Sequence, residues 1–300
     1  MSNEVPVAFV QQFKDNYIIL AQQETSRLRR AVRDDPDFLK GKSGFFDRIG
    51  ATAMKKKTGR HADTPLMNTP HSRRRLTMDD FNWADLIDSA DRIRLLADPT
   101  GPYTTNAVFS ANRQMDTIIY DAMGSVAYSV DEDDAASSSV FPAANKVAVA
   151  NHTFDAGSGD VGLTVGKLIA AKQLLMANEV PEGMPMFCVA DSLQLSKLLA
   201  ETEVQSRDFN DIYALVQGKV NSFMGFDFIR KETLTADASS DTLVYCWAPP
   251  AIGLGIGEEL MIDVGPRRDK SLSTQIYLEF AAGATRVQDE LIIEIACDPS

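Results

Sequence analysis

Histidine, cysteine and tryptophan are scarce in this 300-residue chain, at three, three and two residues. The histidines, His61, His71 and His152, have no metal-ligand spacing. Cys188, Cys246 and Cys297 lie far apart, are odd in number and form no CxxC pair. Neither a zinc site nor a disulfide framework follows, so they read as core thiols in a reducing compartment. No apolar run approaches the roughly 20 residues that a membrane span needs. The opening MSNEVPVAFV has neither a basic start nor a long apolar region, so a secretory leader is not expected. GxSxG, a Walker A lysine, HExxH and a calcium loop are all missing. The acidic run Asp131–Asp134 reads as a solvated loop rather than a cation site. No catalytic, cofactor-binding or metal residue is assigned, and the chain is expected not to be an enzyme.

Two glycine patterns invite a phosphate-binding reading and do not sustain it. GSGDVG (157–162) matches GxGxxG, but Thr164 is the better helix N-cap, so all three glycines precede the helix. The next strand ends at Asp191, beyond the usual place of a ribose-binding acid. GLGIG (253–257) is followed by no helix.

Charge is present in quantity and unevenly placed. Between Arg27 and Arg75 there are 14 Lys/Arg against 5 Asp/Glu, a local balance of +9 in a chain of net −12, which leaves −21 elsewhere. A basic arm on an acidic body fits docking on a neighbouring copy, nucleic-acid binding, or a solvated loop.

Read in order, residues 1–35 are amphipathic, with Phe9, Val10, Phe13, Tyr17, Ile18 and Leu20 ahead of the basic cluster. Residues 40–82 give two candidate strands, about 44–57 and 71–83, with Lys55–Lys57 near Arg73–Arg75 across the ladder. Phe46, Ile49 and Met54 are too sparse for a buried sheet, so this ribbon is expected to lie along a neighbour. Reversing Arg73, Arg74 and Arg75 should then spare folding and stop assembly. Residues 81–101 have three- and four-residue apolar spacing and suggest a short helix. Residues 102–124 carry the stripe Ala107, Val108, Ala111, Met115, Ile118, Ile119, Ala122 and predict a long helix, with Asp116 off the stripe. Helices are expected from Thr164 and from Asp191, whose capping box ends in Gln194. Strands are expected at 184–190, 216–220 and in LVYCW, with Arg230-Lys231-Glu232 ending an apolar run in water. VGPRRDKS (264–271) reads as a polar linker, and Gly283 as the turn of a closing hairpin.

Several of these stretches, in this order, resemble the tailed-bacteriophage major capsid proteins with the Hong Kong 97-type fold. GKVNSFMGFDFI (218–229), WADLID (83–88) followed by Asp98-Pro99 and Pro102-Tyr103, GLTVGKLIAAKQLLMANEVP (162–181), and RRDKS (267–271) with YLEFAAGATR (277–286) carry the likeness, which spans residue 5 to the C-terminus. The resemblance implies an α+β fold with an N-terminal arm (1–39), an extended two-stranded loop (40–82), a peripheral domain (83–160 and 262–300) built on a spine helix at about 102–124, and an axial α/β domain (161–261). It implies hexamers and pentamers that close an icosahedral shell around phage double-stranded DNA. Partners would be neighbouring subunits through loop and arm, a separate scaffolding protein, a portal, a decoration protein and DNA held without sequence specificity. No membrane partner or cofactor is expected, and the location is the virion, with host cytoplasm during assembly. Two alternatives stay open at this point: an encapsulin-like nanocompartment shell, and a soluble α/β enzyme or nucleic-acid-binding protein.

Overall fold

The computed structural model describes residues 20, 22–35, 43–57, 59–60, 64, 66–87, 100–130, 136–154, 159–181, 183–200 and 222–299. The opening apolar residues up to Ile18, His61, Asp131–Asp134 and the strand expected at 216–220 lie outside them. Contacts divide the chain into two compact units, one of residues 1–26, 79–115 and 258–282, the other of residues 27–78, 116–257 and 283–300.

In the second unit a six-stranded sheet runs in the order β7 (Lys146–Val147), β14 (Ile292–Cys297), β11 (Thr242–Trp247), β8 (Met186–Ala190), β10 (Phe226–Arg230), β9 (Ser222–Phe223). β8 and β10 are parallel, and β11 is antiparallel to both its neighbours. Both faces of its centre are covered, so MFCVA and VYCW read as unbroken apolar runs rather than alternating ones. On one face Cys188, Ala190, Phe226, Phe228, Val244, Cys246, Ile293 and Ile295 join Leu168, Ala171 and Leu175 of α2 (Val165–Ala177) and Leu198 of α3 (Ser192–Ala200) in one core. Both helices start at side-chain caps that the sequence announces. Thr164 accepts from Lys167 N at 3.2 Å, and Asp191 accepts from Gln194 N at 2.8 Å.

The hairpin β9–β10 turns at Met224 and Gly225, whose φ values are 54° and 84°. Glycine is the relaxed choice there. Beyond it Lys231 is buried, not solvated. Its Nζ donates to Thr233 O at 2.5 Å and stands 5.1 Å from the Tyr120 ring centre.

The long helix, α1 (Thr100–Gly124), matches the expected span closely. Its stripe holds, except that Val108 and Ile118 are only half-buried and Asp116 is buried at 2 % exposure. β12 (Ile252–Arg267) and β13 (Ser273–Arg286) run through both units and belong to a sheet of order β1 (Arg33–Asp35), β12, β13, β4 (Asp79–Ile87).

Three sequence expectations give way here. The stretch from Phe81 begins as strand β4, because Thr274–Ala282 of β13 supply a nine-residue ladder partner that its helical spacing does not reveal. VGPRRDKS is no linker: the strand continues to Arg267 and residues 268–272 make the turn. The closing hairpin at Gly283 does not form, since β13 passes through Gly283 and β14 pairs with β11 and β7 instead. A Cβ at Gly283 would stand 2.1 Å from Thr77 O, so close backbone approach, not a turn, requires this glycine.

Candidate assembly surfaces

The basic ribbon is the feature to which the charge pattern points, and the structure gives it a firm base. β2 (Ser43–Ile49) and β3 (His71–Thr77) pair antiparallel, β3 pairs on with β5 (Ala127–Val130), and β5 pairs with β6 (Ala136–Ser139), which completes a four-stranded sheet. The expected register is not the one formed. Arg73, Arg74 and Arg75 face Asp47, Phe46 and Phe45, while Lys55–Lys57 lie beyond the ladder. Nor does the base lack a core face, because Phe46 and Leu76 pack on Val287. Phe46 also lies against Gly253, where a Cβ would come 2.4 Å from the ring; this explains one glycine of the GLGIG run.

The three arginines, alike in sequence, have different tasks. Arg73 meets Asp47 at 2.8 Å in solvent. Arg75 lies 5.3 Å from the centre of the Tyr128 ring. Arg74 is 2 % exposed and its Nη2 donates to Asp289 at 2.5 Å and to Ser139 Oγ at 3.1 Å. The other oxygen of Asp289 receives Arg286 Nε at 2.5 Å. Arg286 places its remaining donors on the carbonyls of Met123, Ser125 and Ser139. Burial pushes the Arg74 guanidinium below its ordinary range, with Arg48 and Arg286 adding like charge and Asp289 opposing them. One carboxylate thus holds two buried arginines, and removing it would strand both.

Beyond this base, residues 50–70 form no helix or strand among those described. Gly50 N donates to Pro70 O at 2.9 Å and closes the neck. Met54, Leu66 and all of Lys55–Lys57 are exposed.

The N-terminal segment is pinned by a carboxylate that the helical pattern placed off the apolar stripe. Both oxygens of Asp116 accept from Arg27 N, at 3.1 and 3.0 Å, and one accepts from Leu28 N at 3.1 Å. Trp247 Nε1 donates to Ala31 O at 2.7 Å. In the first unit Gln22 donates to Asn106, and Asn112 donates to Glu24 O. The only sequence-level signal for the anchor was an acidic residue amid the long helix's apolar turns, which fits a solvated face equally well.

A cleft of about 730 Å³ in the second unit is lined by Tyr120, Asp121, Lys146, Asp237, Asp241 and Glu294 among others. Several of its polar groups are bound to one another or to backbone. Lys146 meets Glu294 at 2.8 Å, Tyr245 OH donates to Glu294 at 3.3 Å, and Tyr120 OH donates to Leu243 O at 2.7 Å. Burial raises the pKa of Asp121 and of both tyrosines, and desolvation followed by the charge of Asp237 raises that of Asp241. Among the described residues no group of His, Cys, Asp and Glu could hold a metal ion, and no helix is long and apolar enough to cross a membrane. His71 opens β3, His152 Nε2 lies 2.7 Å from Gly159 O, and the three cysteines are buried and unpaired.

The family model of phage capsid proteins matches residues 5–299. This chain belongs to the phage capsid protein family. The capsid protein's architecture agrees with that membership. The capsid of Cyanophage P-SCSP1u superposes with a TM-score of 0.72 at 15 % identity, covering 98 % of this chain and 94 % of that one. The capsid of Ralstonia phage GP4 gives 0.71 at 13 % identity with 97 % of each chain covered, and that of a native GTA particle 0.68 at 13 % with 99 % of each. No curated protein matches. At such identities the likeness is one of fold, and the fold is the tailed-phage capsid fold that the ordered motifs announced. The protein is a structural component of a bacteriophage capsid.

Proposed function

We propose that this capsid protein assembles with copies of itself, as hexamers and pentamers, into an icosahedral shell enclosing phage double-stranded DNA. The observation that carries the reading is the exposed run Lys55–Lys57 beyond a base locked by Asp289, in a chain of the phage capsid family. A rigid base with an exposed cationic end suits a contact made outside the subunit. The loop (40–82) lies over a neighbour, the arm (1–39) reaches across, and segment 161–261 meets its copies at the capsomer centre. A separate scaffolding protein, a portal and a decoration protein act as partners. DNA is held without sequence readout, through charge. Assembly takes place in host cytoplasm, and the protein ends in the virion. The mechanism is association of subunits.

Size exclusion with light scattering, followed by negative-stain electron microscopy, tests this. Closed shells or capsomer rings are expected, with or without co-expressed scaffold. A protein that stays monomeric under both conditions overturns it. Limited proteolysis should cut within 50–70 in the monomer and not in the particle, and a loop already protected in the monomer would defeat its intersubunit role.

A further inference from the structure

β8 and β11 stand side by side in the middle of the six-stranded sheet and run antiparallel, with Cys246 directly opposite Cys188. Side chains directly opposite on such strands share a face, and both thiols lie fully buried in the core against α2 and α3. On the other face of the same two strands Phe187 and Trp247, also opposite each other, have ring centres 6.0 Å apart, so facing side chains do meet here. Opposite residues have Cα atoms about 4.5–5.5 Å apart, inside the roughly 4.4–6.8 Å that a disulfide spans. Their Cβ atoms stand about 4.5–5.5 Å apart against about 3.8 Å in a disulfide, so joining them draws the strands in by about 1 Å. Cys297 faces Thr242 instead, and its Sγ lies 3.9 Å from Ile295 O.

We propose that Cys188 and Cys246 are a redox-convertible pair, a dithiol in reducing surroundings and a cross-strand disulfide where a small-molecule disulfide is in excess. One cysteine sulfur attacks the small disulfide, forms a mixed disulfide and expels one thiolate. The other cysteine sulfur displaces the second thiolate and closes the bond. Two electrons pass to the small disulfide, and the two cysteine protons end on its two released thiols. Burial, and then the neighbouring Cys246 thiol, raise the Cys188 thiol well above its ordinary range. The closed sheet therefore reacts slowly, and exchange proceeds through opening of the strands. The bond would close the chain from Cys188 to Cys246, which holds α3, β9 and β10, and so remove freedom from the unfolded state. The strain of drawing the strands together keeps the bond reducible, as a convertible one must be. The pair lies within one subunit, so the inference goes beyond the shell reading and stands without it.

The test incubates the reduced full-length protein with oxidised glutathione, with and without urea below the unfolding transition. Remaining thiols are blocked with N-ethylmaleimide after denaturation, and unreduced tryptic peptides are mapped by mass spectrometry. Trypsin leaves the three cysteines on separate peptides, 173–197, 232–267 and 287–300. The expected product joins 173–197 to 232–267, forms faster in urea and separates under dithiothreitol. Joining to 287–300 instead, glutathione adducts with no joined peptide, or three free thiols after both treatments each overturn the proposal. Thermal unfolding supplies a second readout. The oxidised protein should melt about 5 °C above the reduced one, in Cys297→Ala as in wild type, and oxidant should not shift Cys188→Ala or Cys246→Ala. A joined peptide with no rise in Tm would overturn the stabilising role of the bond.

Discussion

Two sheets of the second unit solve burial in opposite ways. The six-stranded sheet buries aliphatic, aromatic and thiol side chains on both faces, and its stability is that of close packing. The four-stranded sheet under the basic loop has a small apolar cluster of Phe46, Leu76 and Val287, and beside it two buried arginines share one carboxylate. Packing tolerates small changes gradually, whereas a buried ion network fails when one member goes. The charged base therefore defines where the loop departs at a cost in tolerance that the apolar sheet does not bear.

The sharpest way to break this comparison is at its two centres. Asp289→Ala should destabilise by about 3–5 kcal/mol, because two arginines remain buried without their counter-charge. Arg74→Met should cost far less, since Arg286 keeps Asp289 and an apolar chain of similar length fills the site. In the packed sheet Phe226→Ala should also lose about 3–5 kcal/mol, but Phe226→Leu only about 1 kcal/mol. Urea unfolding at unchanged m-value reads all four, and equal losses for Asp289→Ala and Arg74→Met would contradict the one-carboxylate account. Reversal of all three of Arg73, Arg74 and Arg75 must now be expected to unfold the base, contrary to the sequence-based expectation, because Arg74 is interior.

Asp116→Ala comes next, at about 2 kcal/mol, for the loss of charge-assisted acceptance from Arg27 N and Leu28 N. Protease cleavage near residues 27–32 should rise in parallel.

The packed sheet should also show itself through pH. Burial pushes the Cys297 thiol from its ordinary 9.0 up to about 12. The folded state then keeps a proton that the unfolded chain releases. Stability is unaffected below about pH 9 and falls between pH 9 and 12, by up to roughly 1.4 kcal/mol per pH unit for this thiol. Cys297→Ala should flatten that part of the curve, and native protein at pH 8.5 should resist alkylation until it is unfolded. The smallest effect on the subunit belongs to the loop tip. Reversing Lys55, Lys56 and Lys57 to Glu should change monomer stability by less than about 0.5 kcal/mol while abolishing particles.

Much of this fold was legible, and the reasons are local. Thr164 and Asp191 cap their helices through their own side chains, and the α1 stripe repeats over about four turns. The candidate assembly surfaces were legible only as charge. Arg73, Arg74 and Arg75 look identical in sequence, and only their partners separate an exposed pair, a ring contact and an interior latch. Asp116 read as a solvent-facing acid because the backbone N–H groups that it accepts from lie some 88 residues away in the chain.

The sequence by itself determined the family, the three helices α1 to α3, the caps of α2 and α3, the strands in MFCVA and LVYCW, and the basic arm, since each depends on neighbours within a few residues. Tertiary structure decided that residues from Phe81 form a strand, that Gly283 lies within one, and that the last strand joins β11. Each of these is a ladder between distant segments, and no local periodicity records which partner a strand will find.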